Sequence, residues 1–466
     1  MPLRRLDDYF HISERGSTLS REVRGGFATF FTMAYILVLN PIILGSAQDV
    51  HGNQLSFEQI VTVTALVAAI MTVLMGITAN LPLALAAGLG INAMVAFQIA
   101  PRMSWPDAMG LVVLEGIIVC VLSATGLREA VMNAIPAALK QAIGVGIGLF
   151  IALIGFVDAG FTIGHEGAPP LTLGAGGELA GWPVLAFCLG LLLTLALLAR
   201  RVKGAILLSI LATTVFAIVV NAIADVPDEA WGLTVPEVPD DLAASPDFGL
   251  LGNFSLFGAF GEVSFVTAVL LIFTLFLTDF FDTMGTAVGV TSEAGLLDEE
   301  GRVPRLGRLL FVDGLAAAAG GAASASSNTS YIESAAGVGE GARTGAANVV
   351  TGGLFALALF FAPLAAVVPS QAAAPALVAV GFLMMVQVGR IDWNDYSVGI
   401  PAFVTIAVMP FTYSITNGIG AGFIAYVVLK AILGRPREVS WLLWLAAGLF
   451  LVYFGIDPVE QLFDVD

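Results

Sequence analysis

The chain has 466 residues, 58% hydrophobic and only 12% charged, with a mean hydropathy of +0.92. Soluble globular proteins carry about 25% charged residues, so most of this surface must face lipid and the chain reads as a polytopic integral membrane protein. A net charge of −17 excludes nucleic acid as a partner, because phosphate binding needs basic patches.

Residues 1–23 are polar and mixed in charge, without the pattern of a cleavable signal, so the first apolar run is expected to direct insertion itself. Apolar runs predict spans near 25–45, 59–79, 109–126, 135–157, 183–199, 204–224, 264–288, 308–322, 345–365, 375–389, 397–412 and 417–433. Two further stretches, 82–98 and 324–341, are short and rich in Gly, Ala, Ser and Asn. Counting them gives fourteen segments, two sevens on either side of an acidic loop at 225–262. With both termini cytoplasmic, 18 of the 19 Lys and Arg residues fall on the inner side, Arg102 being the exception. An odd number of segments per half predicts an inverted repeat, whose paired, Gly-interrupted segments point to a transporter's binding site. The tail 441–454, with Trp441, Trp444 and Tyr453, reads as an interfacial helix.

Polar groups in such spans are costly, roughly 2.5–3.5 kcal/mol for an acid at a helix centre, and so ask for a function. Asp279 and Asp282 lie three apart in TDFFDTMGT (278–286) and share a helix face. Glu333 follows Ser330 and Tyr331 in the second small-residue stretch, whose counterpart in the first half carries Gly90 and Asn92. A neutral, planar, hydrogen-bonding solute fits such a setting, because one carboxylate can accept two parallel N–H bonds. Tyr331, Phe280 or Phe97 could stack on its face, and a buried acid could also carry a proton. Asp282 is open to a capping role, and Glu115 to either packing or a proton path. Asp313 and Glu340 are expected near membrane edges or helix termini in structural roles. The glycine run 144–148 reads as helix packing. Cys120 and Cys188 lie in apolar stretches, and His11, His51 and His165 lie outside them, so neither a metal site nor a cofactor is expected. No Walker-type phosphate loop occurs.

Four stretches carry a family resemblance: RGGFATFFTMAYILVLNP (24–41), AAGLGINAMVAF (86–97), TDFFDTMGT (278–286) and SNTSYIESAAGVGEGARTG (327–345). They resemble the azaguanine-type (AzgA-like) purine permeases of the nucleobase–cation symporter 2 (xanthine/uracil permease) family, over essentially the whole chain. The resemblance implies an all-α membrane fold of fourteen segments in two inverted sevens, with segments 3 and 10 broken by short strands. By analogy the chain divides into a cytoplasmic N-terminus (1–23), core (24–128), gate (129–225), acidic extracytoplasmic loop (226–262), core (263–366), gate (367–434) and a cytoplasmic or interfacial tail (435–466). It implies a transporter, not an enzyme, that imports guanine, hypoxanthine or adenine across the cell membrane by proton symport with a rocking or elevator motion. Asp279, Glu333 and Asn92 would then bind substrate, with Gly90 lining the site and Ser330 and Tyr331 beside it. Glu333, Asp279 and Asp282 would be the proton-coupling candidates, and a homodimer through the gate is compatible with the resemblance. The alternatives are a uracil or xanthine specialist and an anion transporter of the same architecture. A membrane-embedded enzyme would want a His- or metal-rich site that three peripheral histidines do not supply.

Overall fold

The computed structural model describes residues 2–463 apart from 126–133, 165–170, Gly176, Leu233, Asp240 and 300–301; Arg128 and His165 therefore lie outside the described residues. The chain is mostly helical and multi-pass. Among the described residues ten helices are long and apolar enough to cross a membrane, and they coincide with ten of the twelve expected spans. The other two expected spans are helices of 17 and 16 residues, Leu306–Ala322 and Tyr396–Phe411.

After a short helix at Pro2–Phe10, the first span is two helices, α1 (Leu19–Met33) and α2 (Ile36–Ser46), separated at Ala34–Tyr35. Thr18 caps α1 by accepting the Arg21 N–H, while Pro41 inside α2 has no N–H and crowds the preceding turn. Next come α3 (Phe57–Ala79), strand β1 (Leu85–Ala87), α4 (Leu89–Met94), α5 (Trp105–Thr125) and α6 (Ala137–Asp158). A hairpin of β2 (Thr162–Gly164) and β3 (Leu171–Leu173) precedes α7 (Trp182–Ala199) and α8 (Ala205–Ala224). The second half contains α9 (Phe265–Glu293), α10 (Leu306–Ala322), β4 (Asn328–Ser330), α11 (Ser334–Gly339) and α12 (Ala346–Ala358). It closes with α13 (Ser370–Met385), α14 (Tyr396–Phe411), α15 (Ile415–Ile432) and α16 (Trp441–Phe463).

The helices pack in two groups. In one, α5 lies along α10, and α12 lies against both α3 and α1. In the other, α13 and α14 flank α6, α7 packs on α8 and α13, and α15 on α14. Small residues set both seams, as they do where helices lack a hydrophobic drive to associate. A Cβ on Gly116 of α5 would stand 2.6 Å from the Gly314 carbonyl of α10, so these backbones touch. In the glycine run 144–148, a Cβ on Gly148 would stand 2.7 Å from the Gly381 carbonyl of α13. That run serves packing, as its sequence suggests.

The acidic loop docks on the helix ends. Ser255 N–H donates to the Pro106 carbonyl (2.8 Å), and Gln59 Nε2 to Asp247 Oδ2 (3.0 Å). The tail helix α16 is longer than the expected 441–454, extending to Phe463. It buries Leu443, Ala446, Ala447 and Phe450 while packing against α15 and α9.

Candidate functional site

The two small-residue stretches meet. β1 and β4 form an antiparallel ladder with Leu85 opposite Ser330, Ala86 opposite Thr329 and Ala87 opposite Asn328. A three-residue ladder leaves backbone groups without partners, which is expensive away from water. Side chains close it. Thr72 Oγ1 both accepts from Leu85 N–H and donates to the Leu85 carbonyl (2.9 Å each), and Asn348 Nδ2 donates to the Leu81 and Leu83 carbonyls (3.1 and 2.7 Å). Ser334 Oγ accepts the Ala84 N–H at 2.9 Å, and Tyr331 N–H donates to the Ala84 carbonyl at 2.9 Å. Each strand is thus followed by a short helix, α4 one residue after β1 and α11 after a three-residue turn from β4.

Gly88 and Gly90 permit this crowding. A Cβ on Gly88 would press on Thr329 Cγ2 at 2.7 Å, and one on Gly90 would press on Ile147 Cγ2 of α6 at 2.8 Å. Gly90 is thus a close-approach position between α4 and α6. Asn92, two residues on, is fully buried, and neither its Oδ1 nor its Nδ2 has a partner. Asp279 on α9 is also fully buried; neither carboxylate oxygen accepts a bond from an N–H or hydroxyl, and the Glu115 carboxyl lies within hydrogen-bond reach of it. Since α4 packs on α9, these four unpaired polar atoms belong to two packed elements. Buried polar groups are normally satisfied, so this set is the strongest local sign of a missing partner.

Glu333 ends the turn that leads from β4 into α11, and its Oε1 accepts a hydrogen bond from the Tyr35 hydroxyl, at the break between α1 and α2. The Glu333 carbonyl also accepts from Thr32 Oγ1 (3.3 Å). Tyr35 carries no acid, metal-ligand or spacing signal, and sequence reasoning passed over it. Only its place inside the 24–41 motif marks it. Asp282, unlike Asp279, is exposed, and it lies within electrostatic reach of Glu333.

Other expected contributors are already engaged. Tyr331 donates its hydroxyl to the Ala87 carbonyl at 2.5 Å, and Ser330 Oγ donates to Asp313 Oδ1 at 3.0 Å. Phe280 is buried against Phe276 and Phe281, and Phe97 meets Tyr413 edge-on.

Asp313 corrects the sequence reading. It does not sit at a helix terminus but mid-way along α10, fully buried. Its oxygens accept from Thr283 Oγ1 (2.8 Å to each) and from Ser330 Oγ. Thr283 Oγ1 in turn bonds Thr329 Oγ1 (2.7 Å), so one network ties α9, α10 and β4 together. Glu115 on α5 is likewise fully buried, with Ser327 Oγ 3.4 Å from Oε2 and no partner for Oε1. Among the described residues none of Glu115, Asp279, Asp282, Asp313 and Glu333 forms an ion pair. Glu340 does lie at a helix end, paired with Lys203. No group of three or more His, Cys, Asp or Glu suited to a metal ion occurs among the described residues.

Residues 20–420 match the family model Xan_ur_permease, described as Permease family. The chain is 39% identical to the guanine/hypoxanthine permease PbuG of Bacillus subtilis, over 96% of this chain and 99% of that one. It is 38% identical to the adenine permease AdeP of Escherichia coli, over 96% and 95% of the two chains. In fold it is similar to the transmembrane domain of a cyanobacterial bicarbonate transporter, BicA, with a TM-score of 0.61 at 15% identity, covering 86% of this chain and 97% of that one.

Proposed function

The chain belongs to the xanthine/uracil permease (nucleobase–cation symporter 2) family, whose members are transporters rather than enzymes, and from that premise we propose that it imports purine nucleobases together with protons. The observation that carries this reading is the unpaired set at Asn92 and Asp279, with the held carboxylate of Glu333. A purine edge offers N–H donors to carboxylates and both a donor and an acceptor to an amide, and satisfies groups the protein itself leaves open. Asp279, Glu333 and Asn92 bind the base, with Gly90, Ser330 and Tyr331 shaping the walls. Protons travel on Glu333, Asp279 or Asp282.

The mechanism is alternating access. The group containing α1, α3, α5, α10 and α12 is the core that carries the site, and the group built on α6, α13 and α14 is the gate. Fourteen segments in two inverted sevens account for the antiparallel pairing of β1 with β4, each followed by its own short helix. The termini lie in the cytoplasm, the membrane is the cell membrane, and two copies associate through the gate.

The test is uptake of tritiated hypoxanthine, guanine and adenine by cells lacking their own purine permeases, with uracil, xanthine and bicarbonate as competitors. Uptake of purines, blocked by purines, is expected, and a surface-expressed chain that moves none of them refutes the reading. Asp279→Asn and Glu333→Gln should each abolish uptake while leaving the protein in the membrane. Wild-type rates in either variant remove that residue from the site.

A further inference from the structure

Glu333 is held at two atoms by one short stretch of the first span. Tyr35 donates its hydroxyl to Oε1, and Thr32 Oγ1 donates to the carbonyl at 3.3 Å. Behind them α11 lies close on α1, where a Cβ on Gly337 would stand 2.6 Å from the Gly25 carbonyl. Tyr35 is itself only 1% exposed, so its ring has no freedom to swing away. It occupies the junction of α1 and α2, where the backbone keeps right-handed helical angles but the turn tightens, Leu37 N–H bonding the Ala34 carbonyl and Val38 N–H the Tyr35 carbonyl.

We propose that Tyr35 is a positioning residue for Glu333: it takes one carboxylate oxygen and fixes the rotamer, so that Oε2 alone meets the ligand. This rests on the site proposed above and adds a stoichiometry to it. Asp279, whose oxygens take no bond from any N–H or hydroxyl of the protein, receives a two-donor edge of the base, whereas Glu333 receives one N–H. Ligands with paired donors on one edge and a single N–H on another fit that division. Guanine, which has both, is held better than hypoxanthine, which lacks the second donor of the pair.

The experiment compares initial rates of guanine uptake, normalised to surface protein, for the full chain and for Tyr35→Phe. The phenylalanine keeps the ring and deletes the hydroxyl alone. Because a hydrogen bond to a charged group is lost from orientation and not from the translocating framework, KM should rise about tenfold with Vmax within about twofold. Base binding to purified Glu333→Gln should be weak, and adding Tyr35→Phe should change it by less than about twofold, since the two residues act as one unit. An unchanged KM in Tyr35→Phe, a fall in Vmax without a rise in KM, or independent losses in the double variant overturns the positioning role. Wild-type base affinity in Glu333→Gln overturns the site itself, which is a separate outcome. Should Tyr35→Phe fail to reach the cell surface, base binding to the purified variant in detergent is read instead: an affinity about tenfold weaker is expected, and wild-type affinity overturns the positioning role.

Discussion

Asp313→Ala deletes the acceptor at the centre of the network joining α9, α10 and β4. In the native chain its two oxygens receive Thr283 Oγ1 at 2.8 Å and Ser330 Oγ at 3.0 Å, in a fully buried setting. Interhelical hydrogen bonds in membranes average about 0.6 kcal/mol and reach about 1.7, whereas bonds to charged groups in water-soluble proteins run about 1.5–3 kcal/mol. Two lost bonds and the small void left by the carboxyl group therefore cost about 1–4 kcal/mol. Asp313→Asn keeps one carbonyl oxygen for Ser330 and should lose less than half as much. Thr283→Val removes the hydroxyl that links Asp313 to Thr329, so Asp313→Ala and Thr283→Val should together cost less than their sum. Thermal unfolding in detergent, followed by tryptophan fluorescence, gives all four midpoints. A wild-type midpoint for Asp313→Ala, or strict additivity in the double variant, would refute the network as a source of stability.

Gly116→Ala should lower the unfolding midpoint by the equivalent of about 1–3 kcal/mol, the usual cost of overpacking, because its Cβ would stand 2.6 Å from the Gly314 carbonyl. Gly285→Ala, with nothing within 4 Å of the new Cβ, should leave the midpoint unchanged. In the loop after α2, burial works against the Asp49 carboxylate, but bonds from Asn53 and His51 outweigh it and hold the group below its ordinary value of 3.8. The contribution of this carboxylate to the loop's stability is therefore complete above that value and drains away as pH falls through the lower folded value. Trp105, whose Nε1 donates to the Asn53 carbonyl at 2.9 Å, should report this acid transition in its fluorescence, and Asp49→Asn should abolish it.

The spans were legible because an apolar run of about 20 residues has few destinations other than a bilayer. The acids were legible for the converse reason: in so uncharged a chain, Asp279 and Glu333 have nothing around them to explain them. What the sequence concealed lies in contacts between distant residues. Tyr35 and Glu333 are 298 residues apart, and no local pattern on either side announces the bond. Asp313 looked peripheral because its helix is short and rich in small residues, yet those residues are what let α5 pack close enough to bury it. The break at Ala34–Tyr35 left no sign beyond Pro41, since the flanking residues are all compatible with a helix. Ser330 read as a free polar group and Tyr331 as a stacking ring because a sequence shows a hydroxyl and not its acceptor.

The ladder of β1 and β4 makes the spacing of the proposed site a property of the backbone. Paired strands stand about 4.5–5.5 Å apart at their Cα atoms, and the register opposite Leu85 allows no slip, since one residue of shift would turn every side chain to the other face. Asn92 lies five residues beyond one strand and Glu333 three beyond the other. The interval between them is therefore fixed by peptide geometry and main-chain bonds, like the jaws of a caliper set once and locked. Side-chain substitutions on either jaw can change which atoms of a solute are read. The width that is measured can change only if the ladder is re-registered, so descendants of this chain should vary in chemical preference far more readily than in the size of what they carry.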